Sequence, residues 1–208
     1  MSTTIILTRH GQTNGNIKKL WNGWTHDTLT PLGETQAHAL GKHLQNAPIS
    51  KIYSSDLNRA IQTAQIIQSY LDPNIPIEHN KHLREFHYGE AEQMSHADFN
   101  KTYTHIIQAW ERNEDPRFPE GENCVDVAKR GLAALSTIAL SHTKETILIV
   151  SHGGFNNVIL NKLKNNTTID FSNQANCCIN ILEYNQGFFT ILRENDITHL
   201  QEINQKAF

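Results

Sequence analysis

Two runs of the chain, Thr3–Thr8 (TTIILT) and Thr146–Val150 (TILIV), carry no charged residue. A strand with one wet face alternates polar and apolar residues, and a strand that does not alternate is covered on both faces. Two such strands require a sheet with helices above and below it. The rest of the chain supplies those helices. Leu32, Ala37, Leu40 and Leu44 recur at near-helical spacing behind Thr30-Pro31, an N-cap residue followed by proline at the first helical position. Leu57, Ala60, Ile61, Ala64, Ile67 and Leu71 share one helical face, with Ser55 or Asp56 as its cap and Asp72-Pro73-Asn74 as its stop. Ser95–Arg112 reads as one helix with Phe99, Tyr103, Ile106, Ile107 and Trp110 inward, and Asn123–His142 as an alanine-rich one. Gly153-Gly154 opens a short helix to about Leu163. Lys51–Ser54 is a short strand, and Asn176–Tyr184 and Gly187–Leu192 form a terminal strand pair. Strands alternating with helices predict an α/β fold with a mostly parallel sheet. A chain of 208 residues fits a single domain over 1–208.

Composition narrows the function. The formal net charge is -3, and no basic tract points to nucleic acid or an anionic membrane. An anionic ligand must then be held by a local cluster of cations. The three cysteines, Cys124, Cys177 and Cys178, form neither a disulfide framework nor a zinc spacing, and read as buried thiols. No stretch reaches the roughly 20 apolar residues of a membrane span, and no signal peptide is visible, so a cytoplasmic protein is expected.

In open α/β sheets the ligand sits beyond the carboxyl ends of the strands. Both apolar strands end there in the same chemistry. The first runs into Arg9-His10-Gly11, the second into His152-Gly153-Gly154. The glycines let backbone approach a small ligand closely. The stretch SSDLNRAIQTA adds Arg59 near the start of a helix, and LREFHYGE adds Glu85 before a turn at Gly89.

Taken together, RHGQTNGN, SSDLNRAIQTA, LREFHYGE, PEGEN and SHGG stand in the order seen in the histidine phosphatase superfamily, the phosphoglycerate-mutase-like proteins. The resemblance runs from Ile5 to about His199 and is closest to the small broad-specificity phosphatases. It implies a three-layer α/β/α sandwich with a small helical cap inserted at roughly 85–121. It implies that His10 is the nucleophile that becomes phosphohistidine, that Arg9, Arg59 and His152 hold the phosphoryl group, and that Glu85 is the general acid. It implies too that Asn16 joins that pocket and that Asn22 or Gly23, with Gly153, touches the substrate. No cofactor and no metal is implied.

The chemistry is consistent with those residue types. Phosphoryl transfer demands positioning and charge stabilisation. Two arginines offer planar forks for phosphate oxygens. A neutral imidazole splits one hard displacement into two easier ones, and a carboxyl can protonate the leaving alkoxide. The expected partner is a small phosphorylated metabolite. The short segment between Glu85 and Gly121-Glu122 favours a phosphatase over a cofactor-dependent phosphoglycerate mutase, which carries a longer insertion there, although His87-Tyr88-Gly89 echoes the mutases. A phospholigand-binding adaptor with little turnover is the reading from another class; retention of His10, Glu85 and His152 speaks against it. Three positions depart from the family pattern: Gln12, the Ala91-Glu92-Gln93 turn and Asn123. Trp21, Trp24, His87 and the cap aromatics are candidate pocket walls, and Lys18, Lys19 and Arg84 candidate extensions of its positive field. An exposed edge strand offers a route to a homodimer.

Overall fold

The computed structural model describes residues 2–166, 174–201 and 203. Six strands form one sheet: β1 (Thr3–Arg9), β2 (Ile49–Ser54), β3 (Ile77–His79), β4 (Thr146–Ser151), β5 (Ile179–Asn185) and β6 (Phe188–Asp196), in the order β3-β2-β4-β1-β5-β6. The first four are mutually parallel, while β5 and β6 are antiparallel to their neighbours. The two unbroken apolar runs lie side by side at the centre, β1 against β4, with Ile5 opposite Ile147 and Arg9 opposite Ser151.

Alternation along these strands feeds two separate cores. Ile5, Leu7, Ile147 and Ile149 face one layer, with residues of α6 (Cys124–Ser141) and α7 (Gly153–Leu163) such as Leu135, Ile138, Phe155 and Leu160. Ile6, Leu148 and Val150 face the other, with Leu40 of α2 (Pro31–Leu44) and Ala60, Ala64 and Ile67 of α3 (Asn58–Gln68). Every one of these strand side chains is buried, each contributing about 1.5–3 kcal/mol by its removal from water. The result is the expected α/β/α sandwich. A four-residue α1 (Asn14–Ile17) follows β1, closed by a capping box between Thr13 and Asn16.

Several local expectations need correction. Ser95–Arg112 is two helices, α4 (His96–Thr102) and α5 (Thr104–Glu111), hinged at Tyr103 (φ −114°, ψ 46°). Thr102-Tyr103-Thr104 places β-branched and aromatic side chains in succession, which weakens helix continuity. The bend lets Phe99, Tyr103 and Trp110 gather on one aromatic cluster. Neither Ser55 nor Asp56 caps α3, whose N-cap is Leu57 with no side-chain bond. Ser55 is drawn to His152 and Asp56 to Arg84 instead. The terminal pair starts at Ile179 and reaches Asp196, because Cys177 takes a left-handed turn conformation (φ 55°) before the strand begins. The parallel strand β3 was not anticipated. Cys177 and Cys178 are buried thiols and Cys124 is half-buried. Strand β6 is a sheet edge, with Phe188 and Leu192 exposed. Among the described residues, no helix is long and apolar enough to cross a membrane.

Candidate active site

Parallel pairing of β1 with β4 brings Arg9-His10 and His152 to one sheet edge. The His10 N–H donates to the Ser151 carbonyl (3.0 Å), and the His10 and His152 rings lie 5.2 Å apart, edge to face. In front of them opens a cavity of about 570 Å³. Its charged lining is Arg9, Arg59, Lys19 and Glu85. The local excess of cations sits in a chain whose net charge is negative.

His10 is held in one protonation pattern. Its Nδ1 lies 2.7 Å from the Gly11 carbonyl oxygen. A carbonyl only accepts, so Nδ1 carries the proton and Nε2 keeps its lone pair. Arg59 Nε–H donates to that lone pair at 3.2 Å. Burial, then the charges of Arg59 and Arg9, hold the imidazole well below its usual range. The neutral ring is therefore the form present at physiological pH. Gly11 is needed here for packing: a Cβ would run into the Gly33 carbonyl at the start of α2.

The guanidinium of Arg59 is fully buried and anchored at all three nitrogens: Nε to His10, one terminal nitrogen to Thr25 O (3.1 Å), the other to Gly23 O (2.7 Å). Each terminal nitrogen keeps a second N–H for a ligand. Arg9 donates to the Gln174 carbonyl at 2.6 Å. A Cβ at Gly153 would stand 3.1 Å from Arg9 Nε, so that glycine makes room for the arginine. The Asn16 Oδ1 accepts from the Thr13 N–H and from Asn176 Nδ2 (both 3.1 Å). What Asn16 can offer a ligand is thus its N–H end.

Glu85 is buried and seated on the first turn of α7. Its Oε1 accepts from the Phe86 and Phe155 N–H groups (3.0 and 2.8 Å), and its Oε2 from Gly154 N–H (2.9 Å). A Cβ at Gly154 would press to 2.6 Å from Oε1, so the seat needs glycine. Oε2 makes a single bond and retains a lone pair toward the cavity wall it helps form.

His152 departs from expectation in one respect. It does not line the cavity but stands fully buried behind it. Its Nε2 lies 2.8 Å from Ser55 Oγ, and its Nδ1 has no partner among the described residues. Burial first, then Arg59 and His10, hold it well below the usual histidine range.

Asn22, Gly23 and Gly153 line the cavity. The Asn22 amide is bonded to Asp27 Oδ2 (2.8 Å). Trp21 and Lys19 also line it, together with Gln12, Tyr88 and His96. Trp24, His87 and the cap residues Phe99, Tyr103, Ile106, Ile107 and Trp110 do not. Those cap residues belong to the hydrophobic core cluster around Trp21. Arg84 is paired with Asp56 (2.6 Å), and Lys18 stays off the cavity. Of the departures from the family pattern, Asn123 caps α6 with Asp126 in a capping box, and Glu92 takes the Trp24 N–H.

Sequence reasoning missed Asn176, whose Nδ2 donates to the His10 carbonyl (2.9 Å) and to Asn16, and the Gln174 carbonyl that receives Arg9. Both lie just ahead of β5, and only the β5–β1 pairing brings them to the site. It also missed Ser55 as the partner of His152. Among the described residues, no group of three or more His, Cys, Asp or Glu side chains is placed to hold a metal ion.

The model of the histidine phosphatase superfamily (branch 1) matches residues 5–197. The uncharacterized phosphatase PhoE of Bacillus subtilis is 27% identical over 199 residues, spanning 95% of this chain and 97% of its own. A 2,3-bisphosphoglycerate-dependent phosphoglycerate mutase of Bartonella bacilliformis is 33% identical over 159 residues, 74% of this chain and 77% of its own. Among solved structures, Bacillus stearothermophilus YhfR superposes with a TM-score of 0.88 at 30% identity, covering 96% of this chain and all of that one. A mycobacterial glucosyl-3-phosphoglycerate phosphatase complexed with VO3 superposes with a TM-score of 0.82 at 25% identity, covering 93% of this chain and 99% of that one.

Proposed function

The chain belongs to the histidine phosphatase superfamily and is a phosphatase of that superfamily, and from that premise we propose that it hydrolyses small phosphorylated metabolites without a metal, through a phosphohistidine on His10. One observation carries this reading: the Gly11 carbonyl fixes the proton on Nδ1, so a neutral His10 presents the Nε2 lone pair at the floor of a cationic cavity.

Arg9, Arg59 and the Asn16 amide hold the phosphoryl oxygens. His152 packs its ring edge-to-face against His10 from behind. Its Nε2 accepts a hydrogen bond from the Ser55 hydroxyl, leaving the ring proton on Nδ1. His10 Nε2 attacks phosphorus as the ester P–O bond breaks, and Arg59 Nε–H gives up the lone pair to the incoming phosphorus. Glu85 enters the reaction protonated on Oε2 and passes that proton to the departing alkoxide oxygen. The alcohol leaves, and the Glu85 carboxylate takes a proton from the water that attacks the phosphohistidine. Inorganic phosphate and neutral His10 are restored. Both arginines and Asn16 act chiefly by being fixed before the charge moves.

The full-length match to a phosphatase favours hydrolysis over the mutase reaction. A cavity of about 570 Å³ suits a small metabolite. In this reading, residues 1–208 work as one domain, with the cap at about 85–121 supplying the outer wall.

The test is phosphate release from p-nitrophenyl phosphate and a panel of phosphometabolites, without added metal, for wild type beside His10→Ala. Release should vanish in the variant, falling on the order of 10⁴-fold or more. Wild type quenched in denaturant during turnover should carry acid-labile phosphate. Near-normal turnover in the variant would overturn the mechanism.

A further inference from the structure

One arginine with every nitrogen engaged takes no part in the chemistry above. Arg130, on α6, does not line the cavity. We infer that it is a positioning residue for proton transfer: it fixes the backbone that carries Glu85 and so sets where the carboxyl meets the leaving oxygen. The inference rests on the reading of Glu85 as the acid.

Arg130 donates to three backbone carbonyls on the approach to Glu85: His82 (2.9 Å), Arg84 (2.8 Å) and Glu85 itself (2.8 Å). Its remaining bonds go to Glu122, at 2.7 Å from Nε and 2.9 Å from a terminal nitrogen. Glu122 in turn accepts the His87 N–H at 2.9 Å. The pair therefore holds the chain on both sides of Glu85, by carbonyls before it and by an N–H after it. Pairing with Glu122 also neutralises a cation whose side chain is only 15% exposed.

The same guanidinium lies over the ring of Phe155, 5.6 Å from its centroid. Phe155 is the residue whose N–H donates to Glu85 Oε1. Arg130 thus touches both partners of the carboxyl's seat, the backbone that bears it and the residue that receives it. A planar fork with five N–H groups can do this; an ammonium point charge cannot. Trp24 Nε1–H adds a second bond to the Glu85 carbonyl, at 2.8 Å. Such care over one backbone segment matters because a misplacement of about 1 Å in a reacting group costs about 100-fold in rate.

The experiment compares Arg130→Lys, Trp24→Phe and Glu85→Gln on two substrates, p-nitrophenyl phosphate and a simple alkyl phosphate, with vanadate inhibition as a third readout. The p-nitrophenolate leaving group needs little protonation, whereas an alkoxide needs it fully. Arg130→Lys should lower kcat on the alkyl phosphate by roughly 30-fold or more, within the span that general acids supply. Its kcat on p-nitrophenyl phosphate should fall less than about threefold, and vanadate affinity should hold within about twofold, because the phosphoryl clamp is untouched. Equal loss on both substrates, or weakened vanadate binding, would overturn the inference. If Glu85→Gln separates the substrates and Arg130→Lys does not, the clamp is refuted and the acid stands. If Glu85→Gln does not separate them, the acid reading fails and takes the inference with it. Should Arg130→Lys give no cooperative melt, Trp24→Phe decides. It keeps a ring against Arg84 and removes one bond to the Glu85 carbonyl, so the same selective loss is expected at about threefold. No selectivity there overturns the inference.

Discussion

At the floor of the cavity, Arg59 has every nitrogen tied to a fixed atom: an imidazole, the Gly23 carbonyl and the Thr25 carbonyl. At the rim, Trp21 meets five other rings, those of Tyr88, His96, Phe99, Trp110 and Phe118, and its indole N–H has no partner among the described residues. The floor is directional, and the rim is held by packing. Hydrogen bonds to charged groups are short and fix angles, whereas apolar contacts are non-directional and tolerate changes of shape. Chemistry that must place a lone pair on phosphorus belongs on the first kind of framework. Selection among leaving groups can rest on the second. Changes at the floor should therefore damage turnover out of proportion to stability, and changes at the rim the reverse.

The largest expected effect tests the floor. Arg59→Lys keeps a positive charge and loses the fork. It should lower kcat/KM on the order of 10³-fold, the lower end of what a phosphate-directed arginine contributes. It leaves two buried carbonyls short of a donor, so stability should fall by about 1–3 kcal/mol. Steady-state kinetics and urea melts on the same preparation measure both. A rate loss below about tenfold would mean that charge alone suffices at this position. Against it stands Phe99→Ala at the rim. Phe99 is fully buried within the aromatic cluster. Its truncation should remove about 3–5 kcal/mol of stability. Turnover of p-nitrophenyl phosphate per folded molecule should stay within about threefold of wild type. A larger kinetic loss would show that rim and floor are coupled.

The next effect separates the two regions by pH. Burial, and after it Arg59, hold His10 and His152 well below the ordinary histidine value of 6.5 in the folded protein. In the unfolded chain both titrate near 6.5. As pH falls below that value, the unfolded state takes up protons that the folded state refuses, so folding stability declines toward acid. Each fully shifted histidine adds up to about 1.4 kcal/mol per pH unit, so the pair adds up to about 2.7. His199, held at about 4 by burial, adds to the slope over a narrower range. Urea unfolding between about pH 7 and pH 5 should show the decline, and His10→Gln should remove about half of the pair's share. A stability flat across that range would contradict the neutral, buried histidines on which the mechanism relies.

The same division governs what could be read from the residues alone. Arg9, His10 and His152 were legible because each follows an unbroken apolar run, and the end of a buried parallel strand is a place of known geometry. Glu85, Arg59 and Asn16 became legible through the order of short motifs. Asn176, Gln174 and Ser55 were not, because their roles come from contacts between segments far apart in the chain. Asn176 is 166 positions from the His10 carbonyl it bonds. Ser55 stands beside Asp56 as a candidate helix cap, since serine near a helix start usually is one, yet its hydroxyl meets His152 across 97 positions. The rim was read least well for a related reason. Aromatic residues at helical spacing announce burial without saying whether they face a cavity or one another. Here they face one another, and the break at Tyr103 is what allows it.

The smallest expected effect concerns His87, two residues beyond Glu85. An imidazole so close in sequence to the acid proposed above invites a role in the reaction. Its ring instead lies 4.6 Å from that of Trp24, its side chain is 38% exposed, and its nearest carboxylate, Glu92, is 4.0 Å away. The part of His87 that matters is its backbone, whose N–H and C=O both pair with Glu122. An alanine keeps that backbone. His87→Ala should therefore leave kcat and KM within about twofold for both good and poor leaving groups, and change stability by no more than about 0.5 kcal/mol. A pH–rate profile of the variant that loses an ionisation present in the wild type would place the imidazole in the reaction. The outer wall next to Glu85 would then be directional too, and the contrast between floor and rim would end at Trp24.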